Sequence, residues 1–118
     1  MPADPTLHAL TLALRAFAQE RDWAQFHAPK NLACALSVEA AELLEHFQWL
    51  TEDQSRTLAD AKKAQVATEV ADVLLYLLQL CDQLGIDPMA AAWSKLQTNA
   101  EKYPVATARG TSKKYNEL

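Results

Sequence analysis

Only two glycines occur in the 118 residues of this chain, and this scarcity constrains the fold more than any other feature. Folds built from β-strands need many turns, in which glycine is a frequent residue. The chain is instead rich in Ala, Leu, Glu, Gln and Lys, all of which favour helices. Its length corresponds to one domain. We therefore expect an all-α fold, a bundle of four to five helices.

Apolar periodicity and helix-capping residues predict where these helices lie. Asp4-Pro5 and Asp87-Pro88 each resemble an N-cap followed by proline at the first helical position, and Gly85 is typical of a helix end. The patterns predict helices from residue 4 through Phe17, over 31–50 and 58–84, and from residue 87 to Pro104, with 51–56 as a polar connection. Residues 1–104 would form the helical domain and 105–118 a basic C-terminal tail.

The composition excludes several classes of protein. The net charge is −4, whereas a general nucleic-acid binder is usually basic. No basic region followed by an apolar run opens the chain, and the apolar stretch 70–84 is shorter than the roughly 20 residues of a membrane span. We expect a soluble, cytoplasmic protein with no membrane and no nucleic-acid polymer as partner.

Cys34 and Cys81 lie in apolar helical patterns, which predicts buried, reduced thiols.

The predicted third helix is apolar on nearly every side over its second half. In so small a domain, such a helix needs partners on several faces. The pattern therefore indicates that the chain assembles into an oligomer with a helical core.

Two pairs of acidic residues have the same spacing. Glu39 and Glu42 are three residues apart, and Glu69 and Asp72 repeat this pattern thirty positions later. Residues at this spacing share a helix face, with Cβ atoms about 5–6 Å apart. Two similar helices facing each other would therefore bring all four carboxylates together.

Both pairs lie in apolar sequence, where a carboxylate is costly unless it is paired or bound to a metal ion. A divalent cation would offset their mutual repulsion, and oxygen ligands favour Mg²⁺ or Mn²⁺. The alternative is that these are solvated helix faces. Glu45, three residues further, is a metal ligand, a base for water or a surface residue. A di-iron site would need Glu-x-x-His motifs, but His46 follows Leu43 at that spacing.

Aromatic and basic residues accompany the acidic pairs. Trp23, Trp49 and Tyr76 are candidates to stack on a base. Tyr76 follows Asp72 by one helical turn, and Trp49 follows Glu45 in the same way. Core packing is the alternative for each aromatic residue.

A polar row in the fourth helix could meet phosphates. It consists of Lys95, Asn99 and Lys102, at positions i, i+4 and i+7, and lysine binds phosphate as a point charge. An ordinary solvated face is the alternative. His27, in a predicted loop, could contact a phosphate or a sugar or have a structural role.

Together these motifs resemble the MazG-like all-α nucleotide pyrophosphohydrolases, and most closely their dCTP pyrophosphatase branch. The resemblance covers roughly residues 14–118. It rests on the two acidic pairs and on Arg21-Asp22-Trp23, Gln25-Phe26-His27, Pro29-Lys30-Asn31-Leu32, Glu42-Leu43-x-Glu45-x-Phe47-Gln48-Trp49, Asp72-Val73-Leu74-x-Tyr76-Leu77, Ser94-Lys95 with Asn99, Tyr103-Pro104 and Lys114-Tyr115-x-Glu117-Leu118.

The resemblance implies hydrolysis of dCTP or a modified dCTP-like nucleotide to the monophosphate and pyrophosphate, in cleansing of the nucleotide pool. It implies a homotetramer, a dimer of dimers, with sites made by more than one subunit. Glu42 or Glu45 would polarise the attacking water. The implied metal ligands are Glu39, Glu42, Glu69 and Asp72, the base and sugar contacts are Trp23, Trp49 and Tyr76, and the polar contacts are His27, Lys95, Asn99 and Lys102.

Two positions depart from the family pattern. Val38 stands where many MazG proteins have a second acid, and Leu14 stands where the dCTP branch has a histidine that helps to read the base. The dCTP branch is similar to this chain at position 38, whereas the replacement of the histidine by Leu14 affects base preference and not the chemistry. The alternatives are a non-catalytic helical module for nucleotide sensing or oligomerisation, and a related pyrophosphohydrolase acting on dUTP or phosphoribosyl-ATP.

Overall fold

A computed structural model describes residues 6–118, and it confirms the all-α prediction because no strand occurs among these residues. Two 3-10 turns, Ala24–Phe26 and Tyr115–Glu117, accompany the helices. The α-helices of this range are α1 Leu7–Glu20, α2 Pro29–Glu45, α3 Glu52–Arg56, α4 Asp60–Leu84, α5 Pro88–Lys102 and α6 Val105–Ala108.

The cap of α1 is Thr6, whose hydroxyl oxygen accepts a hydrogen bond from the backbone N–H of Ala9 at 3.0 Å. The predicted start at residues 4 and 5 lies outside the described residues. The α2 helix begins earlier than predicted, because Pro29 occupies its first turn.

The predicted end of α2 at residue 50 is wrong. The helix ends at Glu45, where the backbone N–H groups of His46 and Phe47 bond to carbonyls only three residues back. This tighter turn changes the direction in which the following side chains point.

The predicted polar connection over 51–56 is also wrong, since it contains the short helix α3. Its start is a capping box, in which Thr51 accepts from the Gln54 backbone N–H and the Gln54 side chain accepts from the Thr51 N–H. The Thr-x-x-Gln pattern is a known signature of a helix start, so the sequence contained the signal for this helix.

The first of two compact units covers residues 1–85, and α2, α1 and α4 pack together in its described part. Leu32 of α2 and Leu78 of α4 are each only 1% exposed and form the centre of the core. Gly85, with φ of 66°, ends α4 as predicted. Cys81 is buried as predicted, but Cys34 is exposed, which corrects the prediction for that thiol.

The second unit covers residues 86–118. Asp87 caps α5 as predicted, because its carboxylate accepts from the backbone N–H groups of Met89 and Ala90. Near the C-terminus, the Tyr115 ring packs edge-on against Tyr103, with 6.3 Å between ring centroids, and Lys102 Nζ lies 4.9 Å from the same ring centroid. The segment after α5 is therefore structured by aromatic contacts within this unit.

The α4 helix is long and apolar enough to cross a membrane by length and composition alone. An 18-residue stretch of this helix has a mean hydropathy of 1.3, and 11% of that stretch is buried within the chain. Core helices of soluble proteins pass the same test. The helix also carries Glu69, Asp72 and Asp82, and charged carboxylates inside a lipid bilayer are costly. The helix is therefore weak support for a membrane span.

Candidate metal and nucleotide site

Packing of α2 against α4 brings three predicted metal ligands together. Glu39, Glu69 and Asp72 each offer a carboxylate oxygen, and these oxygens all lie within 4.8 Å of one another. Opposite ligands of a single Mg²⁺ ion are about 4.2 Å apart, given metal–oxygen distances of 2.0–2.1 Å. The cluster is therefore close to the dimensions that one divalent cation requires.

Two buried oxygen atoms of this cluster, Oε2 of Glu39 and Oε2 of Glu69, have no hydrogen-bond partner among residues 6–118. A buried carboxylate oxygen without a partner is unfavourable. Such oxygens suit a hard cation, so the donor set fits Mg²⁺ or Mn²⁺.

Glu42 lies beside these carboxylates and changes their proton affinity. Its hydrogen bond with Glu39, together with desolvation and the charges of Glu42, Asp72 and Glu69, raises the pKa of Glu39 to about 7. Desolvation, followed by the charge of Glu42, raises the pKa of Glu69 above its ordinary range. Both shifts have the direction expected for carboxylates that are partly desolvated and repel one another, and a nearby positive charge would oppose them.

His46 contributes a contact that the sequence analysis did not foresee. Its Nε2 atom lies 3.9 Å from Oε1 of Glu69, and both side chains are about one-fifth exposed, at 18% and 19%. His46 follows the end of α2, so the early end of that helix places the imidazole beside the ligand on α4.

A cavity of about 390 Å³, here called the nucleoside pocket, lies between α1, the following turn and α4. Trp23, His27 and Tyr76, three residues predicted to bind substrate, line its wall, and so does Asp72 of the acidic cluster. Leu10, Leu14 and Phe17 are among its apolar lining residues. An apolar pocket with a few polar groups is typical of small-molecule sites.

The turn after α1 fixes the position of Trp23. Asp22 adopts a left-handed conformation, with φ of 54°, and the Trp23 backbone N–H donates to the Ala18 carbonyl at 2.9 Å. The Trp23 ring then meets Phe17 edge-on, with centroids 5.6 Å apart. Gln25 Nε2 donates to both the carbonyl and the carboxylate of Asp22, which holds the turn closed.

Within the first unit, Glu45 and Trp49 are not among the residues that line the nucleoside pocket. Trp49 does not continue the helical row of Glu45, because α2 has already ended, and its side chain is 87% exposed. Glu45 is exposed on the last turn of α2. Lys95, Asn99 and Lys102 lie on α5 in the second unit, and their contact with phosphates stays a prediction.

Gln79 and the pair Arg15–Asp82 were not among the residues predicted from the sequence. Gln79 lines the nucleoside pocket and also a neighbouring cavity of about 220 Å³, which Arg15 and Asp82 line as well. The signal was available for Gln79, because it follows Asp72 by seven residues and so shares its helix face. No local pattern connects Arg15 with Asp82, which are 67 residues apart.

Comparison with known proteins identifies the family of this chain. A model of the MazG-like family matches residues 34–118, a range that contains both acidic pairs. The chain belongs to the MazG-like family. It is 41% identical to dCTP pyrophosphatase 1 of Mus musculus and 40% identical to that of Homo sapiens, in each case over 117 residues, 98% of this chain and 69% of the relative.

A solved structure shares the MazG-like fold of this chain. It is the crystal structure of a pyrophosphatase from Archaeoglobus fulgidus, with 42% identity and a TM-score of 0.80, covering 88% of this chain and 97% of that one. The family predicted from the sequence motifs is thus confirmed. The range that the family model matches begins at residue 34. Trp23 and His27, which line the nucleoside pocket, therefore lie before it.

Proposed function

We propose that this MazG-like chain hydrolyses dCTP, or a modified dCTP-like nucleotide, to the nucleoside monophosphate and pyrophosphate. The observation that carries the proposal is the position of Asp72, which belongs to the acidic cluster and also lines the nucleoside pocket. A nucleoside in the pocket would therefore have its phosphates next to the carboxylates. The relatives named dCTP pyrophosphatase 1 support dCTP as the substrate.

Glu39, Glu42, Glu69 and Asp72 would hold Mg²⁺, with Mn²⁺ as a substitute. The unpartnered oxygens of Glu39 and Glu69 support this assignment. A bound cation would supply positive charge that offsets the charge of the phosphates. His46, beside Glu69, would keep that carboxylate in place.

The chain's own carboxylates would also direct the attacking water. The water oxygen bonds to the α-phosphorus, the bond from the α-phosphorus to the bridging oxygen breaks, and pyrophosphate leaves with that oxygen. Glu42, which lies beside the cluster, or Glu45, one turn further along α2, would accept the proton of the water. A side chain in this role contributes a factor of about 10²–10⁴ to the rate.

The nucleoside pocket would bind the base and sugar through the rings of Trp23 and Tyr76, with His27 as a polar contact. Trp49 would stack on the base or sugar as well. Lys95, Asn99 and Lys102 would meet polar groups of the nucleotide.

Assembly would cover the apolar surface of α4. Val70, Leu77 and Leu84 are 49%, 39% and 53% exposed on this helix, which is costly for side chains of this kind. A homotetramer, arranged as a dimer of dimers in the cytoplasm, would bury them. The assembled enzyme would serve to cleanse the nucleotide pool.

Product analysis with a panel of nucleoside triphosphates tests the proposal. With Mg²⁺ present, we expect dCTP or a modified dCTP to yield monophosphate and pyrophosphate, and Glu42→Gln to lower kcat by about 100-fold or more. Glu52→Gln is the matched control, since Glu52 has a side chain 92% exposed on α3. No turnover of any nucleotide by the folded protein would contradict the proposal.

The same panel separates the alternatives. A non-catalytic nucleotide-sensing module would bind nucleotide without releasing pyrophosphate, and its binding would survive Glu42→Gln. A pyrophosphohydrolase with another substrate would release pyrophosphate fastest from dUTP or from phosphoribosyl-ATP.

A further inference from the structure

The two oxygen atoms of the Glu69 carboxylate lie in different surroundings. Oε1 lies 3.9 Å from Nε2 of His46. Oε2 is buried and has no hydrogen-bond partner among residues 6–118. One oxygen of this predicted metal ligand therefore lies beside a ring nitrogen, and the other is left for a cation.

His46 reaches Glu69 because it continues the row of acidic residues on α2. Glu39, Glu42 and His46 follow one another at intervals of three and four residues, so they share one side of the helix. His46 comes directly after α2 and keeps helical backbone angles, with φ of −70° and ψ of −19°. Among the ion pairs of residues 6–118, the His46–Glu69 pair is the one that involves the acidic cluster.

The distances favour action through Glu69 over direct coordination of the ion by His46. Carboxylate oxygens of Glu39, Glu69 and Asp72 lie within 4.8 Å of one another, and no nitrogen of His46 belongs to that set. The Nε2–Oε1 distance is about 1 Å longer than an N–H···O hydrogen bond, so a small rotation of the ring forms one. The geometry thus makes His46 a positioning residue for Glu69.

The imidazole ring can donate this hydrogen bond in either charge state. An ionised carboxylate only accepts, so it favours the neutral form of the ring that carries its proton on Nε2. The protonated ring also carries a hydrogen on Nε2. A ring turned by half would present a carbon to Oε1 and lose the bond, so the carboxylate selects the orientation with the nitrogen towards it.

Resting on the proposed function, we propose that His46 selects Mg²⁺ over Ca²⁺ by leaving Glu69 a single oxygen with which to bind the ion. Nε2 of His46 donates to Oε1, and Oε2 binds the cation. Mg²⁺ requires octahedral geometry with short bonds, whereas Ca²⁺ takes about six to eight oxygen ligands and accepts both oxygens of one carboxylate. A carboxylate restricted to one oxygen therefore favours the smaller ion.

The test replaces His46 with leucine, which removes the donor. We expect His46→Leu to weaken Mg²⁺ binding by roughly 10-fold or more, the range for loss of a group that holds a metal ligand. Ca²⁺ binding should stay unchanged or become tighter, because Glu69 can then bind through both oxygens. His46→Gln keeps an N–H donor near the position of Nε2, so it should restore most of the preference for Mg²⁺.

His8→Leu is the matched control, because His8 is exposed on α1 and this variant should keep the wild-type dissociation constants. These constants come from calorimetric titration of the nucleotide-free protein with Mg²⁺ or Ca²⁺, or from the melting temperature as a function of ion concentration.

Infrared spectra with Ca²⁺ report how the carboxylates bind the ion. The two stretching bands of a carboxylate lie closer together when both of its oxygens bind one ion than when a single oxygen does. We expect a smaller separation in His46→Leu than in wild type or in His46→Gln. A role of His46 in folding alone would leave this separation unchanged.

The outcomes distinguish this inference from the proposed function. If folded His46→Leu keeps the wild-type ratio of Mg²⁺ to Ca²⁺ affinity, or if His46→Gln behaves like His46→Leu, the role of His46 is wrong while the chemistry stands. If the wild-type protein releases no pyrophosphate, the proposed function is wrong, and the ion titrations still test His46.

Discussion

Arg15 binds Asp82 through two hydrogen bonds, with Nη2 donating to Oδ1 at 2.6 Å and Nε donating to Oδ2 at 3.1 Å. This bidentate pair joins α1 to α4, the two helices on either side of the nucleoside pocket. The hydrogen bond from Arg15 lowers the pKa of Asp82 below its ordinary range. The pair therefore helps to set the distance between the two walls of the pocket.

Loss of Arg15 should lower the melting temperature at neutral pH. Arg15→Met leaves the Asp82 carboxylate, whose side chain is only 22% exposed, without its partner. We expect a decrease of a few degrees, measured by thermal denaturation. Arg56→Met is the control, because its partners Asp53 and Glu52 are 95% and 92% exposed and such pairs contribute little. Equal effects of the two variants would contradict this role.

The effect of Arg15→Met should also depend on pH. Since the pKa of Asp82 is lower in the folded state than its ordinary value of 3.8, the pair stabilises the fold at pH values above 3.8. That contribution is lost as the pH falls through the lower, folded-state pKa. Melting curves of wild type and variant should therefore converge in acid.

The acidic cluster should affect the pH dependence of stability in the opposite direction, because its contribution decreases as the pH rises. The pKa of Glu39 rises from its ordinary 4.5 to about 7 on folding, so the folded state binds this proton more tightly. Without a divalent cation, the contribution of Glu39 to stability is then fully present below pH 4.5 and is lost as the pH rises through about 7. A cation competes with the proton, so its stabilising effect should increase over the same range.

Thermal denaturation with and without Mg²⁺, at about pH 5.5 and about pH 8, checks this coupling. The increase in melting temperature on adding Mg²⁺ should be larger at the higher pH. Glu39→Gln should abolish most of the increase, whereas Glu52→Gln should keep it. An equal increase at both pH values would show that the cation does not displace a proton from this cluster.

The conformation of Asp22 should control the fold of the turn that positions Trp23. A β-branched residue is strained at φ of 54°, so Asp22→Val should destabilise the protein by about 1–2 kcal/mol in urea denaturation. Asp22→Gly, which accepts this conformation, is the comparison and should lie within about 0.5 kcal/mol of wild type. If the Asp22→Val protein were as stable as the Asp22→Gly protein, the turn would not depend on this left-handed conformation.

Much of the fold and the metal cluster could be predicted from sequence, because both follow from local spacing. Two carboxylates three residues apart must share a helix face, and two such helices in contact bring Glu39, Glu69 and Asp72 together. The end of α4 at Gly85 and the cap of α5 at Asp87 likewise depend on neighbouring residues.

The remaining features depend on contacts that are distant in the sequence or on small changes in helix geometry. Tight turns after Glu45 end α2 early, and this moves Trp49 out of the acidic row that periodicity predicted. The pairing of Arg15 with Asp82 arises only when α1 packs on α4. The position of Gln79 on the same helix face as Asp72 follows from their spacing, whereas the burial of its side-chain oxygen depends on how α4 packs.

The central claim is that water attacks the α-phosphorus of a nucleotide held beside the acidic cluster. Hydrolysis of dCTP in ¹⁸O-labelled water, followed by mass spectrometry of both products, tests it most directly. We expect label in dCMP and unlabelled pyrophosphate. Label in the pyrophosphate, or products that are dCDP and phosphate, would contradict it.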